Sequence, residues 1–220
     1  MKKLILFDMD GVIFKKENFW FELHKAYGTF DEGLEITKKY GRTDYETLVK
    51  EVVGRLWKGK PADAYFSLIK NAQYVRGIKE TIEILKSKGY KTALISTGPR
   101  DLAIRAQKEL GLDYVYANHL MTENGIVTGS TDMRNWPLRW DNKAEIMRQI
   151  CREHNLYYKD CIMVGNGEND IKMARTAGFA IAFCAEDEEL KKYSNAIIDE
   201  EDLSLILKSI EEFENRQLII

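Results

Sequence analysis

Asp8 and Asp10 stand two residues apart, directly after the apolar run Leu4-Ile5-Leu6-Phe7 and just ahead of Gly11. Two carboxylates this close repel by roughly 4 kcal/mol at 4 Å and an effective dielectric near 20. A cation between them removes the repulsion, and the hard ion Mg²⁺ favours a few carboxylate oxygens together with substrate phosphate. One carboxylate can then bind metal and attack phosphorus while the other handles the proton. An Asp-rich turn closed by glycine also follows many strands for structural reasons alone, so the pair must be weighed with its company.

Three further segments keep that company. Ser96, with the amides of Thr97 and Gly98, precedes a helix pattern, and a hydroxyl beside the N–H groups of a helix start makes a phosphate cradle. The same residues would serve as a simple helix cap. Lys143 opens an amphipathic run and can neutralise a phosphate and a nucleophile together; alone it would read as a solvated surface charge. Gly165-Asn166-Gly167-Glu168-Asn169-Asp170 follows an apolar strand, and Asn166 and Asp170 can present oxygens toward Asp8 and Asp10. Its G-x-G spacing also suits a dinucleotide, but Asp170 occupies the third glycine position, where a phosphate would approach the helix start. There is no G-x-x-x-x-G-K-[ST] loop and no G-x-S-x-G elbow, so ATPase and serine-hydrolase chemistry lack their main motifs.

The elements that must position these residues follow from periodicity. Leu4–Phe7, Thr92–Ile95, Cys161–Val164, Phe179–Phe183 and Ala196–Ile198 read as short buried strands. Helices fall at about 77–88, from Pro99 to Gly111, at 141–154, up to Ala177, and from Asp202 to about Phe213. Asn124-Gly125 marks a hairpin turn between Tyr114–Met121 and Ile126–Thr131. Residues 15 to 74 differ in texture: they are helical, aromatic-rich and punctuated by Gly28, Gly41 and Gly59-Lys60-Pro61. The expected fold is therefore α/β, a doubly wound and mostly parallel sheet with a small helical insertion. The core comprises 1–14 and 77–220, and the insertion 15–76.

The chain has 220 residues, 45% of them hydrophobic and 31% charged, as in a globular protein with a substantial core. A formal net charge of -2 gives no overall signal for nucleic acid, and no apolar stretch is long enough to cross a bilayer. Met1-Lys2-Lys3 leads straight into a strand rather than a signal peptide. Cys151, Cys161 and Cys184 lack C-x-x-C spacing and read as buried thiols in a reducing cytoplasm. His24, His119 and His154 are scattered, with no chemical role assigned.

Taken in order, the segments Phe7-Asp8-Met9-Asp10-Gly11, Leu94-Ile95-Ser96-Thr97-Gly98, Asn142-Lys143-Ala144-Glu145 and Val164 through Asp170 resemble the haloacid dehalogenase superfamily of phosphohydrolases. Within it they are most similar to the phosphoserine phosphatase group, as are Gly111-Leu112-Asp113-Tyr114 and Ile181-Ala182-Phe183-Cys184-Ala185. The resemblance implies a Mg²⁺-dependent phosphomonoester hydrolase in which Asp8 becomes an aspartyl-phosphate. Asp10 would then act as acid and base, with its backbone carbonyl on the metal. Ser96, Thr97, Gly98, Lys143 and Asn169 would hold the phosphoryl group, and Asp8, Asp10, Asn166 and Asp170 would surround the metal. The insertion would be a cap that closes over the site, and Glu17 would meet a substrate ammonium. The implied partner is a small phosphorylated metabolite, phosphoserine first, with no nucleic acid and no membrane; oligomeric state is left open.

The chain departs from that group at several points. The family's usual Asp is Asn166 here, and Ser96-Thr97-Gly98-Pro99 carries one more residue than the usual Ser-Gly-Gly before the helix. The cap arginine expected to hold a substrate carboxylate has only Arg42, Lys50 and Arg55 as candidates, and 134–140 looks unlike the group. Phe14, Phe19 and Trp20 are candidates for walling off a larger pocket. Two alternatives accordingly stand beside hydrolysis: transfer of the phosphoryl to an acceptor alcohol, and phosphometabolite binding with little turnover.

Overall fold

The computed structural model describes residues 3–15, 18–131, 139 and 141–217. Six parallel strands form one sheet in the order β3-β2-β1-β6-β7-β8. They are β1 (Lys3–Phe7), β2 (Tyr90–Pro99), β3 (Tyr114–Asn118), β6 (Cys161–Gly165), β7 (Phe179–Phe183) and β8 (Ala196–Ile198). β1 lies at the centre between β2 and β6, with Phe7 opposite both Leu94 and Val164. Its apolar run has no polar alternation because both faces are covered. Ile5 and Phe7 pack with α5 (Ile78–Ser87), α6 (Arg100–Leu110) and the closing helix α10 (Ile206–Gln217). Leu4 and Leu6 pack with α7 (Lys143–His154), α8 (Ile171–Ala174) and Leu190 of α9 (Glu188–Tyr193). Each such apolar side chain, fully buried, contributes about 1.5–3 kcal/mol. The chain steps outward from β1 through β2 to β3 and then returns to β6 on the other side of β1. That reversal opens a crevice at the carboxyl ends of β1, β2 and β6, the place where sheets of this kind collect ligands.

The insertion consists of α1 (Phe19–Ala26), α2 (Phe30–Tyr40), α3 (Tyr45–Val49), a π-helical stretch Lys50–Trp57 and α4 (Asp63–Asn71). Asn18 starts α1 by accepting the Phe21 N–H at 3.2 Å, and Asp44 starts α3 by accepting that of Thr47 at 3.0 Å. The segments entering and leaving the insertion run side by side, with Lys15 N–H on the Gln73 carbonyl (2.9 Å) and Val75 N–H on that of Ile13 (3.0 Å). Arg105 of α6 clasps this junction. Its guanidinium donates to the carbonyls of Ile69 (2.6 Å) and Ala72 (2.9 Å) and lies over the rings of Phe14 and Tyr74.

The stretch Tyr114–Met121, expected to be one arm of a hairpin, is divided. Tyr114–Asn118 joins the parallel sheet, whereas β4 (Leu120–Glu123) pairs with β5 (Ile126–Thr131) in a separate two-stranded sheet. The turn itself is as expected, with positive φ at Asn124 (50°) and Gly125 (78°). A largely apolar stretch of eight residues, interrupted only by Asn118 and His119, does not reveal that it serves two sheets. The break follows from burial of Leu120 and Val127 against the insertion, where the backbone also joins, Gly59 N–H to Val127 carbonyl at 2.8 Å and Ala62 N–H to Gly125 carbonyl at 2.8 Å. The hairpin thus lies within 77–220 but docks on 15–76. The helix expected up to Ala177 is shorter, a 3-10 turn at Glu168–Asp170 followed by α8, and α9 has no counterpart in the sequence reading. Leu218, Ile219 and Ile220 lie outside the described residues.

Candidate active site

Asp8 is the first residue beyond β1, and its N–H continues the ladder to the Val164 carbonyl at 3.0 Å. The side chain is therefore delivered by the most constrained strand of the sheet. Its Oδ1 accepts the Met9 N–H at 2.7 Å and lies 2.8 Å from Lys143 Nζ. Lys143, at the start of α7, is fully buried, and its ammonium also reaches Asp170 Oδ1 at 2.8 Å. Asp170 is fully buried too, and its other oxygen accepts the N–H groups of Asn166 (3.0 Å) and Gly167 (3.2 Å). A Cβ at Gly165 would stand 2.5 Å from that oxygen, so the turn can wrap the carboxylate only with glycine there. Taking an ammonium out of water costs several kcal/mol, which two ion-paired carboxylates offset.

The end of β2 supplies the facing wall. Ser96 Oγ, buried, accepts the Gly98 N–H at 2.9 Å. A Cβ on Gly98 would lie 3.2 Å from Ser96 Oγ and 3.4 Å from Asp10 Oδ2, which puts hydroxyl, amide and second carboxylate around one point.

Electrostatics mark this cluster. Burial, then the charge of Asp170, push Asp8 up to about 7 against the pull of Lys143 and the Met9 amide. Burial and the charge of Asp8 raise Asp10 to about 7, with Lys143 and the Phe19 backbone acting the other way. For Lys143, burial favours the neutral amine, but Asp170 and Asp8 outweigh it and raise its pKa. Three carboxylates thus share one ammonium. The excess negative charge, in a setting of carboxylate, amide and backbone oxygens, fits a hard divalent cation completed by a phosphate. Asp170 already holds Lys143 and two amides, so coordinating a metal directly would cost it one of those bonds. Among the described residues no three His, Cys, Asp or Glu side chains form a ready-made metal cage.

The model of the haloacid dehalogenase-like hydrolases matches residues 2–178. The chain belongs to the haloacid dehalogenase-like hydrolases. It is similar to the phosphoserine phosphatase of Methanocaldococcus jannaschii, 37% identical over 95% of this chain and 98% of that one. The phosphoserine phosphatase of Lactococcus lactis is 32% identical over 98% of this chain and 99% of its own. A solved phospho-aspartyl intermediate analogue of a phosphoserine phosphatase superposes with a TM-score of 0.80 at 34% identity, covering 94% of this chain and 98% of the other. A substrate-bound phosphoserine phosphatase gives 0.81, with 95% and 98% covered. The chain is a phosphatase of this family, and the six-stranded parallel sheet is the family's fold.

Asp8, Asp10, Ser96, Gly98, Lys143 and Asp170 converge as the spacing suggested. Asn166 and Asn169 sit on the same loop, Asn166 with its amide on Asp170 and Asn169 with Oδ1 3.3 Å from where a Gly167 Cβ would stand. Glu17 lies outside the described residues, as do 132–138 and Trp140. Of the candidates for a substrate carboxylate, Arg42 pairs with Glu168 of the Asn166–Asp170 loop at 2.5 Å. Arg55 is bracketed by Glu32 and Glu51, both at 2.7 Å, and Lys50 is exposed. Phe14 stacks on Tyr74 at the junction, and Phe19 packs edge-on to Tyr65. Of the three aromatics named above, Trp20 has a side-chain hydrogen bond to the backbone at the end of β2, from Nε1 to the Thr97 carbonyl at 2.9 Å. Asn118 donates to the same carbonyl at 3.0 Å. Asn118 did not stand out in the sequence, because an Asn ending a strand carries no motif, and Trp20 stood out only as a pocket-wall candidate, since a Trp in an aromatic-rich stretch does not reveal a hydrogen bond to a distant backbone.

Away from the site, Cys151 and Cys161 are free buried thiols with sulfurs 3.4 Å apart, and Cys184 is half-buried. Among the described residues no helix is long and apolar enough to cross a membrane.

Proposed function

We propose that this phosphatase hydrolyses phosphoserine or a similarly small phosphomonoester, with Mg²⁺ bound, through an aspartyl-phosphate on Asp8. The observation that carries the reading is the buried Lys143 ammonium, 2.8 Å from both Asp8 Oδ1 and Asp170 Oδ1. Its charge pulls the Asp8 carboxyl down against the burial and the Asp170 charge that raise it, and at about 7 the group still has an ionised fraction at neutral pH to attack. The Met9 amide and Lys143 both contact Oδ1, and Oδ2 is the oxygen assigned to attack phosphorus. As the bond from Oδ2 to phosphorus forms and the ester bond breaks, Asp10 protonates the departing alcohol oxygen. Asp10 then takes a proton from water, whose oxygen attacks phosphorus, releasing phosphate and freeing Asp8. A carboxyl near 7 can give and take a proton around neutrality. Ser96, the Gly98 amide and Lys143 hold the phosphoryl oxygens, with Thr97 and Asn169 beside them. Asp8, the Asp10 carbonyl and Asn166 would hold Mg²⁺, with Asp170 beside them at the metal's edge, and the ion would supply positive charge against those oxygens. The helical insertion, lying over the crevice, excludes bulk water.

The relatives named above, all phosphoserine phosphatases, support the substrate class. Phosphate release measured with Mg²⁺ across phosphoserine, phosphothreonine, sugar phosphates and nucleotides tests it. The expected result is the highest kcat/KM on phosphoserine or another equally small ester, lost on chelation. A preference for nucleotides, or no release from any of them, would overturn it.

A further inference from the structure

The register of β2 against β3 jumps from Ile95–Tyr116 to Pro99–Asn118. Ser96, Thr97 and Gly98 therefore have no paired residue on β3, and the Thr97 carbonyl must find partners outside the ladder. It finds two side chains. The Asn118 amide donates from the end of β3 at 3.0 Å, and the Trp20 indole N–H donates from α1 of the insertion at 2.9 Å. In a trans peptide the carbonyl and the following N–H point in opposite directions. Fixing the Thr97 carbonyl toward Trp20 and Asn118 thus turns the Gly98 N–H the other way, onto Ser96 Oγ at 2.9 Å.

We propose that Trp20 and Asn118 are positioning residues that set the Thr97–Gly98 peptide plane, so that the Gly98 amide, which donates to Ser96 Oγ here, is turned toward the cradle and passes to a phosphoryl oxygen when one binds there. The inference rests on the phosphatase reading of the site and adds a part that the insertion plays in it. Because one of the two donors belongs to the insertion, closure does more than exclude water; it completes the orientation of the phosphate cradle. The Phe19 backbone, adjacent to Trp20, acts on the Asp10 carboxyl, so the start of α1 touches both the acid and the cradle. The bulge and the two donors belong together, since the extra loop residue exposes a carbonyl that the sheet no longer satisfies.

The test is calorimetric binding of inorganic phosphate, in the presence of Mg²⁺, to the whole protein and to three variants. Trp20→Phe keeps a ring and loses the N–H; Asn118→Ala removes the second donor from the opposite side. Trp57→Phe perturbs the packing beneath Trp20, 5.8 Å between ring centroids, without touching the loop. Each of the first two should weaken phosphate binding by about three- to tenfold, the scale of one net hydrogen bond, with the fold kept and the melting temperature lowered by no more than about 2–4 °C. Trp57→Phe should leave phosphate affinity within about twofold of wild type. Should Trp20→Phe not fold, Asn118→Ala still reports on the same carbonyl. Unchanged phosphate affinity in the folded variants, or an equal loss in Trp57→Phe, would overturn the proposal while leaving the phosphatase reading intact. A wild type that neither binds phosphate nor hydrolyses phosphomonoesters would overturn both.

Discussion

At the strand ends Lys143 is fully buried and keeps its charge between Asp8 and Asp170, whereas in the helical insertion the buried His24 has lost its own. His24 contacts Thr29 Oγ1 at 2.8 Å, takes the Trp57 indole N–H at 3.3 Å and lies 4.6 Å from that ring. A Cβ on Gly33 would come within 2.1 Å of its ring, so α2 presses close on this side. Burial holds its pKa down at about 4, against the small upward effect of Thr29. Both regions bury a titratable base, and what separates them is the partner. Carboxylates carried by the end of β1 and by the turn after β6 keep an ammonium charged, while an aromatic and a hydroxyl leave an imidazole neutral, as packing.

The sharpest way to break this contrast is at Asp8. Asp8→Asn should reduce turnover to background while the fold persists, and no phosphorylated protein should be trapped. Activity near wild type would end the covalent mechanism. Asp10→Asn comes next: the rate should fall by about 10² to 10⁴, the range of general acid–base groups, with Mg²⁺ affinity mostly kept. A loss below about tenfold would remove Asp10 from that role.

The neutral centre makes a different prediction. Above pH 6.5 both folded and unfolded His24 are neutral and pH has no effect through it. Between 6.5 and about 4 the unfolded chain takes up a proton that the folded one refuses, so stability is lost as pH falls through that window. The loss should reach up to about 3 kcal/mol near pH 4. Denaturant unfolding followed by tryptophan fluorescence, compared with His24→Gln, isolates it, because the variant should show a flatter slope over that window. Equal slopes would mean that His24 titrates normally in the folded insertion.

The smallest expected effect is at Asn166. An amide oxygen brings no charge to a Mg²⁺ site, so Asn166→Asp should tighten Mg²⁺ binding by roughly tenfold or more in the absence of phosphate, read by calorimetry. Substrate phosphate supplies part of that charge, so metal and substrate should bind more tightly together than apart. Equal affinities would place residue 166 outside the metal's contacts.

Read alone, the sequence determined the central strand, the carboxylate pair beyond it, the glycines of the 165–170 turn and the helical character of the insertion. These are local facts, carried by apolar runs of strand length, by Asp and Gly at adjacent positions and by helix punctuation. It also brought Asp8, Ser96, Lys143 and Asp170 to one crevice, because parallel strands with right-handed crossovers leave few other arrangements. Tertiary structure alone decided that Tyr114–Met121 serves two sheets, that the hairpin docks on the insertion and that Arg42 pairs with Glu168. Only the tertiary structure, too, placed the Trp20 and Asn118 side chains on one backbone carbonyl. Such contacts join residues 77 and 21 positions apart, and no periodicity or propensity encodes them. They arise when a register shift leaves a backbone group unpaired and the packed neighbours are the ones within reach.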